Sequence, residues 1–377
     1  LRNLMLVSGQ KIEPHRTLII FDEIQDCPDV INSLKYFCEN APKYHIACAG
    51  SLLGITLAKP SSFPVGKVNF LQVNPMTFTE FLLANNDDSL VEFLKTIDSL
   101  EPIPQAFFNK LYEKLKMYYV TGGMPEPVQR WSEYNDVEAM EESLASIITA
   151  YERDFAKHPN ISEYPKISMI FRSIPSQLSR ENKKFLYKVV KKGARAREYE
   201  DALQWLVDAG IVHKIYRSTA PSLPLIAYDD ISAFKIYLAD VGLLRKLCQL
   251  SPRAFGEKNR LFTEFKGALT ENFVLQSLIC QSDLTPRYWS QNNPSYEVDF
   301  LVQKENDIYP VEVKAESNTR ATSLKKFKEL FSDKVKLRIR YSLDNLKLDG
   351  DVLNIPLFMI DYTDSLIKLA LNKLGQS

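Results

Sequence analysis

The sequence predicts a multidomain α/β protein, and three observations carry that expectation. The chain has 377 residues, more than one core of roughly 100–150 residues accommodates. Near its start, TLIIF (Thr17 to Phe21), a helically spaced stretch from Pro28 to Glu39 and YHIACA (Tyr44 to Ala49) follow one another as strand, helix and strand. Near its end, apolar runs at Arg287–Ser290, Glu297–Gln303, Ile308–Lys314 and Val335–Tyr341 read as strands. Helical stretches at Phe265 to Cys280 and Ser323 to Phe331 accompany them. Strand, helix and strand in that order indicate a parallel unit.

Composition excludes several classes before any motif is considered. Hydrophobic residues at 45% and charged residues at 25% are those of a folded chain with a buried core. The 47 Lys and Arg balance the 47 Asp and Glu, so a nucleic-acid contact would need a local basic patch. Cys27, Cys38, Cys48, Cys248 and Cys280 are odd in number and lack C-x-x-C spacing, which points to reduced thiols and away from zinc or a disulfide framework. The four histidines, His15, His45, His158 and His213, show no ligand spacing. No apolar run of about 18 residues is present to span a bilayer, so a soluble cytoplasmic protein with no membrane partner is expected.

The first strand is a β-branched apolar run that stops abruptly at Asp22-Glu23, as a buried parallel strand does when it delivers carboxylates to a sheet edge. Nucleoside triphosphate hydrolysis needs carboxylates in that position, one to hold magnesium and one to orient the attacking water. Asp22 suits the first role and Glu23 the second; two solvated acids at a strand end are the plain alternative. The second strand runs into Gly50-Ser51, which sets a polar side chain at the end of the neighbouring strand.

From Ile103 to about Lys157 the pattern is helical and broken by Gly122-Gly123-Met124-Pro125, a lid or connector. Lys183 to Ile215 reads as two amphipathic helices around the turn Lys191-Lys192-Gly193-Ala194, followed by Gly210 and a strand, the order of a winged helix-turn-helix. Its basic residues, among them Lys183, Lys191, Lys192, Arg195 and Arg197, form a candidate nucleic-acid surface. Tyr199, Leu203, Trp205 and Leu206 are core-type residues and favour packing instead. Expected boundaries are 1–85, 86–165, 166–218 and 219–377.

The strings FDEIQ and AGSLLG, with YVTGGMPEPV (Tyr119 to Val128), YERDF (Tyr151 to Phe155) and GARAREYEDALQWLVDAG (Gly193 to Gly210), resemble a family of prokaryotic AAA-type ATPases. Members of that family carry a C-terminal domain formerly of unknown function. The resemblance covers nearly the whole chain. It implies a partial P-loop ATPase sheet, a helical connector, a winged helix and a restriction-endonuclease-like α/β domain. ATP and Mg2+ would be cofactors of the complete protein, with Asp22, Glu23 and Ser51 catalytic. Arg153, in YERDF, would be either an arginine finger reaching a neighbouring copy in a homo-oligomer or one half of a helix-surface salt bridge. The phosphate-cradling G-x-x-x-x-G-K-[ST] loop occurs nowhere in the chain. Family members carry it upstream of the acidic strand, so the chain is expected to be a fragment.

A second constellation lies near the end. Asp299 falls on one strand of a hairpin, and Glu312 and Lys314, two apart and so on one face, fall on the other. Metal-dependent phosphodiester cleavage uses two carboxylates and a lysine, and Glu271, in the helical GALTENFVLQSL, is the matching helical acid in such nucleases. Convergence of Glu271, Asp299 and Glu312 beside Lys314 is expected, with Asp299 and Glu312 as metal ligands, like Asp22 at the first site. A nuclease and a non-catalytic scaffold both remain open, since catalysis does not follow from fold.

Overall fold

The computed structural model describes residues 1–50, 66–157, 161–255, 260–282, 284–292, 295–315 and 322–375. The chain forms two compact units, one made of Leu1–Val73 with Gln204–Ile211, the other of Asn74–Leu203 with Val212–Ser377.

The first unit holds α1 (Arg2–Ser8), β1 (Leu18–Phe21), α2 (Pro28–Asn40) and β2 (His45–Cys48). β1 and β2 pair in parallel, Leu18 with His45 through Phe21 with Cys48, as the strand–helix–strand order requires. Pro28 opens α2 at its first turn, where a missing amide proton costs nothing, and Phe37 of that helix meets Phe21 of β1 with ring centroids 6.2 Å apart. The expectation of a fully buried strand does not hold. Leu18 is 57% and Ile20 64% exposed: among the described residues this sheet has two strands, so only alternate side chains find a layer to pack on.

The second unit opens with helices α3 (Phe78–Ala84), α4 (Asp88–Lys95), α5 (Gln105–Thr121), α6 (Pro125–Tyr134), α7 (Val137–Asp154) and α8 (Tyr164–Leu178). The break foreseen at Gly122-Gly123 is real, and tertiary packing demands it as much as helix termination does. Gly122 has φ 73°, and a Cβ there would lie 2.1 Å from Asp240 Oδ1; one on Gly123 would lie 2.3 Å from the Met76 carbonyl oxygen. The Gly123 amide donates to the buried Asp240 carboxylate at 2.6 Å.

Next come α9 (Tyr187–Val190), α10 (Ala196–Asp208), β3 (Val212–Ser218), β4 (Asp229–Leu238), α11 (Val241–Leu247) and α12 (Arg260–Gln281). The first of the two helices expected around the basic turn is a single turn of four residues, Tyr187–Val190. Lys183 at φ 46° and Gly193 at φ 82° bracket it, and left-handed backbone interrupts a helix on either side.

The remainder is β5 (Arg287–Asn292), β6 (Ser295–Lys304), β7 (Asp307–Val313), α13 (Thr322–Leu330), β8 (Arg338–Ser342), β9 (Lys347–Asp349), β10 (Val352–Pro356) and α14 (Thr363–Leu374). β3 to β10 build one mixed eight-stranded sheet in the order β4-β3-β5-β6-β7-β8-β10-β9. β3, which the sequence reading places in the winged-helix segment, thus lies inside the sheet between β4 and β5. On one side Trp289, Val298, Leu301 and Ile308 pack with Leu324 and Phe327 of α13. On the other, α12 lies against β4 and β7. No described helix is long and apolar enough to cross a membrane.

Candidate functional site

At the carboxyl end of β1, Asp22 and Glu23 are both exposed. The Glu23 amide donates to Asp22 Oδ1 at 3.0 Å. Glu23 itself is left-handed at φ 49° and caps a short 3-10 turn, Ile24–Asp26. Such a conformation is uncommon for a residue with a side chain. Ile24 is buried, and its amide donates to the Ala49 carbonyl at 3.1 Å, which holds the acidic turn beside the end of β2. The Gln25 amide group donates to the Glu23 carboxylate. Ser51 lies outside the described residues.

Arg153 is exposed on α7; its neighbour Glu152 pairs with Arg172 at 2.9 Å. Lys191, Lys192, Arg195 and Arg197 are all exposed. Tyr199, Leu203, Trp205 and Leu206 are buried, as core-type residues at helical spacing should be. Lys183 leaves the basic surface that the sequence suggested and turns inward to Glu271.

A second set of acids is enclosed between α12 and the sheet. Asn272 ties α12 to the edge strand β4, its Oδ1 accepting from the Leu238 amide and its Nδ2 donating to the Leu238 carbonyl, both at 2.9 Å. One turn on, Gln276 Oε1 accepts from the Val241 amide at 2.9 Å. These bonds satisfy backbone groups at the end of an edge strand and fix the rotation of α12, so that Glu271 faces β4. Its carboxylate, 6% exposed, accepts from the Lys183 ammonium and, at 3.1 Å, from the Tyr237 hydroxyl.

Asp299 reaches the same region because β6 slips register. Between Arg287 and Trp289 of β5 the pairing shifts by one residue, Arg287 meeting Leu301 and Trp289 meeting Val298. Val298 and Leu301, three apart, therefore share one apolar cluster, and Phe300 packs on Tyr237 across the sheet. Asp299 Oδ2 accepts from the Val313 amide at 2.7 Å. Glu312, 3% exposed, receives the Lys314 ammonium at 2.9 Å on Oε1, while its Oε2 is buried without a hydrogen bond. Lys235, wholly buried, pairs with Glu297.

The electrostatics follow from this crowding. Burial raises the Asp299 carboxyl to about 7, with the Glu271 charge adding and the Lys235 and Lys183 charges opposing. Burial also works to raise Glu271, but Lys183, Lys235 and the hydrogen bonds from Lys183 and Tyr237 outweigh it and leave the group below its usual range. Burial disfavours the charged Lys314, yet Glu312, Asp299 and Glu271 together hold it above the ordinary lysine value. Glu271, Asp299, Glu312 and Lys314 thus share one electrostatic neighbourhood. Among the described residues, however, no three His, Cys, Asp or Glu form a group that could hold a metal ion.

Lys183, Lys235, Tyr237 and Glu297 were not singled out from the sequence as partners of these acids. A lysine inside the apolar run AFKIYL (Ala233 to Leu238) was the available signal, since a buried charge requires a partner. Nothing in the local pattern distinguished Lys183 from the exposed lysines around it.

Comparison with known families matches three segments of the chain. Residues 3–82, which include Asp22 and Glu23, match an AAA domain. Residues 112–254 match a domain of unknown function designated DUF8612, and residues 266–358 match a second, DUF4143. The enclosed cluster draws on both: Lys183, Lys235 and Tyr237 come from the former, and Glu271, Asp299, Glu312 and Lys314 from the latter. No curated protein matches. Among solved structures, a Walker-type ATPase of Pyrococcus abyssi is similar at 14% identity and a TM-score of 0.38. The similarity covers 61% of this chain and 63% of that one.

Proposed function

We propose that this chain supplies the magnesium and water carboxylates of an ATP-hydrolysing AAA-type enzyme. The observation that carries the reading is the acidic turn itself: Asp22 and Glu23 follow an apolar parallel strand, and the Ile24 amide anchors them to the end of the neighbouring strand. Asp22 would hold magnesium and Glu23 would orient the attacking water, with Ser51 sensing the γ-phosphate. The left-handed φ of Glu23 supports this role, because strained backbone gathers at functional sites. The phosphates would be cradled by a G-x-x-x-x-G-K-[ST] loop that these 377 residues do not contain. Arg153, exposed on α7, would complete the site of a neighbouring copy, and Lys191, Lys192, Arg195 and Arg197 would contact nucleic-acid phosphates from a winged-helix segment. In the protein carrying that loop, Glu23→Gln should slow ATP hydrolysis by about 100-fold or more while nucleotide stays bound. Unchanged turnover would remove Glu23 from the mechanism.

A second reading, that residues 219–377 form a restriction-endonuclease-like domain and a magnesium-dependent nuclease, is favoured by the buried, unpartnered Glu312 oxygen beside Lys314. The ion pairs on the other acids support instead a scaffold whose carboxylates are already neutralised.

A further inference from the structure

Glu23 is exposed on a side chain with several rotatable bonds, yet orienting a water molecule requires one of its conformers and not an average over many. A restraint lies in the chain just after it. Gln25, half-buried where Glu23 is exposed, donates its side-chain amide to Oε2 of the Glu23 carboxylate. The backbone that carries Gln25 is tied along its whole length. The Asp26 amide donates to the Glu23 carbonyl at 3.0 Å and the Cys27 amide to the Ile24 carbonyl at 3.1 Å, which closes the 3-10 turn. In front, the Ile24 amide is held by the Ala49 carbonyl; behind, the Val30 amide donates to the Cys27 carbonyl at 2.9 Å and joins the turn to the start of α2. Ile24, 4% exposed, seats the turn on the core. Gln25 therefore stands on backbone fixed at both ends.

The kind of donor matters as much as its place. Lys183, Lys235 and Lys314 bring a full positive charge to Glu271, Glu297 and Glu312 and so neutralise them. A primary amide has no net charge, so Gln25 orients the Glu23 carboxylate without forming an ion pair. A carboxylate has further lone pairs with which to accept from water.

We propose that Gln25 is a positioning residue for Glu23, and that its amide holds the carboxylate in the conformer that orients the attacking water. This role rests on the assignment of Glu23 to ATP hydrolysis. Gln25 acts through Glu23 alone and serves neither nucleotide nor metal. Its loss should slow the chemical step and leave nucleotide affinity as it was, since an interaction made only in the transition state is read in kcat.

Two experiments test the contact and its role separately. In the 377-residue chain, the NMR signals of the Gln25 side-chain amide should move as acid protonates Glu23, and Glu23→Gln should abolish that movement. Gln25 signals that behave alike in the two chains overturn the proposal. In the protein carrying the phosphate-cradling loop, Gln25→Met, which keeps the side-chain length and removes the donor, should lower kcat for ATP about tenfold with KM unchanged. In a Glu23→Gln background the same substitution should cost nothing further. Should Gln25→Met not fold, Gln25→Asn, one methylene shorter, takes its place with the same expected split between kcat and KM. Unchanged or faster turnover by the Gln25 variant, beside a Glu23→Gln variant that has lost activity, overturns the proposal and leaves the ATPase reading standing. Parental turnover by Glu23→Gln overturns both.

Discussion

Asp22 and Glu23 end a strand in open water, whereas Glu271, Asp299, Glu297 and Glu312 lie between a helix and a sheet with lysines on three of them. The two acidic regions look alike as strings of residues and differ in what their charges cost. Exposed carboxylates keep their hydration, at little expense to stability. Enclosed carboxylates lose hydration and must be compensated inside the fold. The first region is therefore separable from folding, and the second is not.

The largest effect that tests this contrast is expected at Lys235. Lys235→Ala leaves the half-buried Glu297 carboxylate without its wholly buried partner and should lower the unfolding free energy by about 3 kcal/mol, the low end for a broken buried pair, measured by urea denaturation. Adding Glu297→Gln should recover part of the loss. A single variant as stable as the parent chain would show that the enclosed acids are hydrated after all.

Acidity sharpens the same contrast at an intermediate scale. Folded Asp299 keeps its proton up to about 7, while the unfolded chain releases it near the ordinary aspartate value. The folded state then binds the extra proton between roughly pH 4 and 7, so stability from this group falls as pH rises through that window. His213 on β3 runs the other way. Burial pushes its imidazole down to about 4, so its contribution is complete above the usual histidine value of about 6.5 and is lost as pH falls toward 4. Urea midpoints from pH 4 to 8 should show Asp299→Asn removing the decline on the alkaline side and His213→Gln removing the loss on the acid side. Each change should be on the order of 1–3 kcal/mol. Parallel profiles in parent and variants would contradict both assignments.

The smallest effect belongs to the exposed pair. Asp22→Asn and Glu23→Gln should each leave the unfolding free energy of the chain within about 0.5 kcal/mol, as substitutions at exposed positions usually do. A loss of several kcal/mol at either would make the acidic turn a structural element and weaken its assignment to nucleotide chemistry.

Local periodicity by itself determined the elements: TLIIF and YHIACA as parallel strands, the helix near Phe265 to Cys280, the hairpin carrying Asp299 and Glu312, and the helix break at Gly122-Gly123. Period-two and period-3.6 patterns report which face of an element is apolar, and those patterns are written in neighbouring residues. The burial of β1 was misjudged for the same reason, because an apolar strand does not reveal how many layers will cover it. The partners of the buried acids lay beyond such a reading. Lys183 and Glu271 are 88 residues apart and Lys235 and Glu297 are 62, and a one-residue slip in β6 joins Asp299 to them. The close fit of Gly122 against Asp240 is of the same kind. Tertiary structure alone decided these contacts, because a buried charge is satisfied by whatever the packing of distant segments brings within reach.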